Sequence, residues 1–201
     1  MKYILGFFVT ILLLIILVML LVFGGDDKKS VPNTSKSLAS YSNTEAITRL
    51  TIDGPINAPE SHRASRITVS QNQTTLEQLR GYDGEILETK TYTNTQTSYL
   101  SFLRALELAG YTKGNLSESL ENDRGYCPLG TRYIFELQEK GRQLQRFWAT
   151  TCKGPKSYEG NTSLTVRLFK NQVPNYQKVI TTFERNQKAL ETRAVKSSLI
   201  L

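Results

Sequence analysis

Two cysteines, Cys127 and Cys152, and a single histidine, His62, are the side chains of this sequence best suited to covalent, redox or metal chemistry. Their spacing argues against most of it. The cysteines do not form a C-x-x-C redox pair. With His62 they supply at most three widely separated ligands, one short of a structural zinc site. The chain has no G-x-S-x-G elbow, P-loop, H-E-x-x-H helix or dinucleotide fingerprint. Glu118, Glu121, Asp123 and Glu136 are the carboxylates that a fold can bring together for sugar hydrolysis, but nothing in their spacing favours it. His62 lies in Glu60-Ser61-His62-Arg63 and reads as a solvated loop histidine. The sequence therefore assigns no catalytic residue, no metal ligand and no cofactor. Trp148, Arg142 and Arg146 remain as candidate contact residues, on a hairpin whose edge can be open to a partner. Trp148 reads equally well as core.

The elements that must position these residues can be read from periodicity and turn chemistry. Thr48–Ile52 alternates and stops at Asp53-Gly54-Pro55. Arg63–Arg80 is a long polar stretch whose parity changes, so a bend or bulge is expected near Gln71–Thr75. Asp83-Gly84 is a hairpin signal, with Ile86–Thr93 as the returning strand. Asn94, Thr95 and Thr97 are candidate N-caps for a helix. Tyr99, Phe102, Leu103 and Leu106 fall on one face of that helix, and Gly110 suits its end. Asn115–Arg124 reads as a surface loop.

A hairpin follows, Arg132–Glu139 and Arg142–Thr150, with its turn at Lys140-Gly141. A two-residue turn sets Leu137 opposite Leu144, Phe135 opposite Arg146 and Tyr133 opposite Trp148. This register puts Trp148 on the buried face with Tyr133, Phe135 and Leu137. Leu164–Phe169 reads as one more strand, and Val173-Pro174 starts a final helix with Tyr176, Val179, Ile180 and Phe183 as its stripe.

Extended to the open end of the hairpin, the same register makes Cys127 and Cys152 diagonal neighbours. Pro128 and Gly130 bend the strand enough to close the gap, so a disulfide is expected. It encloses about 26 residues and contributes ~3 kcal/mol in the chain-entropy picture. A bridge of this kind implies an oxidising compartment.

The largest single feature is the apolar run Tyr3–Phe23, which carries no charge. About 20 apolar residues span the roughly 30 Å hydrocarbon core of a bilayer. The run is too long for a cleaved leader, and no A-x-A-like site follows it. No cysteine ends it, as a lipoprotein would need, and no early Glu marks it as a pilin stem. Residues 1–24 are therefore expected to be an uncleaved signal anchor. Lys2 and the amino terminus balance Lys28, Lys29 and Lys36, so the flanking charges do not orient it. The expected disulfide does, placing the C-terminal part outside the cytoplasm.

Residues 25–45 are poor in aliphatic side chains and read as a flexible stalk. Residues 46–185 make one α+β domain, an antiparallel sheet of about five or six strands against two helices, and 186–201 a loosely ordered tail. The chain holds 25 Lys plus Arg against 18 Asp plus Glu, a net charge of +7. A positive balance suits anionic partners such as wall polymers or lipid head groups, but an excess this modest reads first as a solvated surface. Without a basic run or a recognition module, no nucleic acid is expected. Asn33, Asn72, Asn115 and Asn161 each begin an N-x-[ST] triplet.

Several pieces of the chain resemble a known group. They are Phe102-Leu103-Arg104-Ala105-Leu106 with Ala109-Gly110-Tyr111-Thr112, then Cys127-Pro128-Leu129-Gly130-Thr131-Arg132-Tyr133. Arg146-Phe147-Trp148-Ala149-Thr150-Thr151-Cys152 and Gln172-Val173-Pro174-Asn175-Tyr176 complete them. Together they look like an uncharacterised family of membrane-anchored, extracytoplasmic domains from candidate-phylum bacteria, Saccharibacteria among them. The resemblance implies a location and a paired cysteine, and no activity. On sequence, the protein is a membrane-anchored module that binds a protein or an anionic envelope polymer without catalysis. An accessory subunit of a pilus or secretion machine, or an envelope hydrolase, is the alternative.

Overall fold

A computed structural model describes residues 36–198, together with Leu12. Apart from Leu12, the expected anchor (1–24) lies outside the described residues, as does the first part of the expected stalk. Among the described residues no helix is long and apolar enough to cross a membrane.

Six strands form one antiparallel sheet in the order β4-β3-β2-β1-β5-β6. β1 (Ala46–Asp53), β2 (Arg63–Val69), β3 (Gln73–Arg80) and β4 (Glu85–Thr93) run as a meander. Helix α1 (Gln96–Leu108) then carries the chain back across the sheet. β5 (Arg132–Glu139) pairs with β1, and β6 (Arg142–Thr150) closes the far edge. Helices α2 (Thr162–Lys170) and α3 (Tyr176–Ser198) follow. The α+β class and the antiparallel sheet agree with the sequence reading.

The long polar stretch is two strands rather than one bent strand: the chain reverses at Ser70, whose N–H donates to Gln73 O at 2.9 Å. That reversal places Ile67 beside Leu76 and Val69 beside Thr74 on the covered face. Thr95 caps α1, its hydroxyl accepting from Ser98 N–H, and Tyr99, Phe102, Leu103 and Leu106 are all buried as their spacing predicts. Gly110 ends the helix region with φ +78°, a conformation in which glycine carries no Cβ penalty.

Leu164–Phe169 is helical, not a strand. Asn161 Oδ1 accepts from Leu164 N–H and starts α2, and Val166, Phe169 and Val173 then bury at helical spacing. The period-2 look of Leu164, Val166 and Leu168 is outweighed once Asn161 supplies a cap.

The chain joins the fold earlier than the sequence suggests. Leu38–Asn43 is a 3-10 helix against α1, with Leu38 and Tyr41 three residues apart and both buried. Ser37 Oγ donates to Glu107 Oε2 at 2.9 Å and fastens the segment to the same helix. At the other end, α3 remains helical through Ser198. Asn186 and Gln187 of α3 donate to the Glu88 carboxylate on β4.

One face of the sheet, with Leu50, Ile67, Leu76, Phe135 and Phe147, packs against the helices. The other face is charged across its middle, where Arg66 meets Glu77 at 2.7 Å and Arg49 lies near Glu136. Its β5–β6 end is covered by the segment between α1 and β5, which meets Trp148 and Arg146 there.

The β5–β6 register is shifted from the expected one. Glu139 does face Arg142, but the register slips by one between Leu137 and Gln138. Leu137 therefore faces Gln145, Phe135 faces Phe147 and Tyr133 faces Ala149. Trp148 moves to the face opposite Phe135, because a one-residue slip inverts every side chain beyond it.

Candidate functional site

The residues with chemical potential gather in two places. The first is a buried ladder of charges on the loop-covered face. Asp53 ends β1 and is in register with Arg132, the first residue of β5. Arg132 is fully buried and donates to Asp53 Oδ2 from Nε at 3.0 Å and from an Nη at 2.6 Å. The same Nη donates to Gly54 O at 2.9 Å. Arg132 Nη1 is buried without a hydrogen-bond partner. Asp123, from the covering loop, lies 3.8 Å from Arg132 Nε and pairs with Arg146 of β6 at 2.5 Å.

His62 closes the other end of this ladder. It is 2% exposed, against the sequence expectation of a solvated histidine. Its Nε2 lies 2.7 Å from Asp53 Oδ1 and its Nδ1 lies 3.1 Å from Pro55 O. The ring stacks on Tyr82 at 4.2 Å, and Arg124 sits over the other ring of that pair, 4.9 Å from the Tyr82 centroid. Both imidazole nitrogens face oxygen acceptors, so neither offers a lone pair to a substrate. A general base needs such a lone pair within reach of the proton it removes. The small cavity beside it, about 140 Å³, holds Asp53, Asp123 and Arg146, all engaged with one another or with Arg132. The ladder stitches the covering loop to the sheet.

Two of the carboxylates considered for hydrolysis are engaged by arginines. Asp123 is held by Arg132 and Arg146, and Glu136 lies 3.7 Å from Arg49. Glu118 and Glu121 line a hollow of about 430 Å³ beside Arg146 and Trp148. Among the described residues, no group of three His, Cys, Asp or Glu side chains is placed to hold a metal ion.

The hairpin candidates separate. Trp148 is 1% exposed, donates Nε1–H to Leu120 O at 2.6 Å and stacks on Tyr126 at 5.1 Å. Arg146 is tied to Asp123, and Arg142 is exposed beside the turn. Cys127 and Cys152 form the expected disulfide, with Cα atoms 5.6 Å apart. It fastens the end of the covering loop to the chain just beyond β6. Gly130 fits beneath it only because it has no side chain: a Cβ there would lie 2.3 Å from Cys127 Sγ.

The second place is on the helical side. A cleft of about 1240 Å³ opens between α2, the start of α3 and the segment before α2. Tyr133 of β5 and Val166 lie at its apolar inner wall. Lys156, Arg167, Lys170 and Lys178 line it, and no Asp or Glu does. None of the four is ion-paired with a described residue. Arg167 and Lys170 are three apart on α2 and so project from neighbouring positions of one helix face. Lys170 Nζ lies 5.1 Å from the Tyr176 ring centroid. Burial, with Tyr133 and Glu184 nearby, pushes the Tyr176 hydroxyl up to about 12. That group is a neutral donor at the cleft wall over the whole physiological range.

Sequence reasoning missed this cleft because it read 164–169 as a strand, which sends Arg167 and Lys170 to different faces. The run Asn161-Thr162-Ser163 was the available signal, since Asn before a polar first turn is a helix start. No protein-family model matches the chain, and no curated protein matches it.

Proposed function

We propose that this protein is a membrane-tethered, extracytoplasmic binding domain that holds an anionic ligand in the cleft between α2 and α3. One observation carries the reading: four cations line this cleft of about 1240 Å³, and no acid does. Cations held without counter-charges cost repulsion, which an anionic occupant relieves. The apolar run Tyr3–Phe23 supports a tether, and the Cys127–Cys152 pair supports an oxidising side of the membrane. The occupied ring nitrogens of His62 favour binding over hydrolysis.

The test is retention of acidic envelope fractions on immobilised full-length protein in detergent. Arg167→Glu with Lys170→Glu is expected to lower retention at least tenfold while the unfolding midpoint stays within error. Equal retention by the native and charge-reversed proteins sinks the reading.

A further inference from the structure

The shape of the cleft restricts what can fill it. It runs the whole length of α2: Gly160–Ser163 line it at one end, Lys170 and Asn171 at the other. Nine residues at 1.5 Å rise make a trough of roughly 14 Å. The cations come from three segments of its lining: the stretch before α2, α2 itself and the start of α3. Lys156 precedes the first end, Arg167 and Lys170 follow along the helix, and Lys178 belongs to the first turn of α3. A single phosphate or carboxylate can satisfy only one part of such a line. The volume, about 1240 Å³, also exceeds the usual 300–1,000 Å³ of a small-molecule site. Tyr133, from the sheet beneath the helices, contributes to its inner wall.

We propose that the occupant is a segment of a linear polyanion, a chain bearing regularly spaced phosphate or carboxylate groups. This rests on the reading above that the cleft takes an anion. The successive charges of the chain lie along Lys156, Arg167, Lys170 and Lys178, and its backbone lies over the apolar wall. Binding such a chain releases condensed counterions, and affinity then falls steeply with salt. A single-stranded polyanion loses about 0.7 of a power of salt per charge neutralised, so four contacts give a slope near −3, roughly sevenfold for each doubling of salt.

The experiment uses the full-length protein in uncharged nanodiscs. Its probes are long-chain polyphosphate, polygalacturonate, pyrophosphate, dextran and vesicles containing anionic lipid. Polyphosphate or polygalacturonate is expected to bind at least 100-fold more tightly than pyrophosphate, with a salt slope near −3. The stronger of the two polymers identifies phosphate or carboxylate as the charge. Lys156→Glu and Lys178→Glu, at separate parts of the trough, should each lower the slope and weaken polymer binding. Pyrophosphate binding as tight as the polymers overturns the proposal and leaves the anion-binding reading standing. Stronger binding to anionic vesicles than to either polymer overturns it in favour of a lipid surface. No binding to any anionic probe, with the fold intact, overturns both readings.

Discussion

Asp53 is the residue on which most of the covered face depends. It accepts from His62 on one oxygen and from Arg132 on the other. Removing one partner of a buried ionic group costs more than the pair itself contributes, because a charge is left without compensation. Asp53→Ala is therefore expected to destabilise the domain by about 3–5 kcal/mol. Arg142→Ala, at an exposed turn position, should stay within about 0.5 kcal/mol. Urea midpoints of the two variants decide; similar midpoints would mean that the ladder is not what holds the loop down. None of this ladder was legible in the sequence. Asp53 and His62 are nine residues apart, but Arg132 is 79 residues from Asp53, and only the β1–β5 pairing brings them together. A lone histidine gives no local sign of burial, since the groups that bury it come from distant strands and the covering loop.

At the scale of elements, local signals were read well where they were strong. The Thr95 cap, the stripe of α1 and the Asp83-Gly84 turn each lie within a few residues of the structure they specify. The β5–β6 hairpin shows the limit. Its turn was legible, but the slip between Leu137 and Gln138 was not, and that one slip moves Trp148 to the opposite face. The burial of Phe135 against Tyr158, with Phe147 opposite it in register, on one face, and of Trp148 under Tyr126 on the other, selects the shifted register. The disulfide belongs to this scale, because it joins the covering loop to the end of β6. Protein isolated from cells should take up thiol-alkylating reagent only after reduction, at both of its cysteines. Cys127→Ser with Cys152→Ser should lower stability by about 3 kcal/mol. Ready alkylation before reduction would remove both the brace and the reason for placing the domain outside the cytoplasm.

At the scale of the molecule, the helices and the covered face of the sheet are locked by tyrosines whose hydroxyls end inside the fold. Tyr99 donates to Ala46 O at 2.8 Å, and Tyr111 to Glu136 O at 2.7 Å, each bonding to a backbone carbonyl of the sheet. Tyr158 meets Thr165 Oγ1 at 2.7 Å, joining the segment before α2 to that helix. Burial raises the hydroxyls of Tyr99, Tyr111 and Tyr158, and pushes Tyr176 up to about 12. A raised value in the folded chain means that the fold binds the phenolic proton more tightly than the unfolded chain does. Stability from these groups is fully present below the unfolded value near 10 and is lost as pH rises through the folded values. For Tyr176 the window runs from about 10 to about 12. Within it each such tyrosine removes about 1.4 kcal/mol per pH unit. Urea midpoints measured between pH 9 and 11.5 should therefore fall steeply above pH 10, and tyrosinate absorbance should rise in step with unfolding. Tyr99→Phe separates this cause from general charge loss. It lowers stability at neutral pH by removing the hydrogen bond to the Ala46 carbonyl, yet its alkaline slope should be shallower by one tyrosine's share. A variant slope as steep as that of the native chain would show that alkaline unfolding comes from the lysines, and that the tyrosine hydroxyls do not lock the layers together.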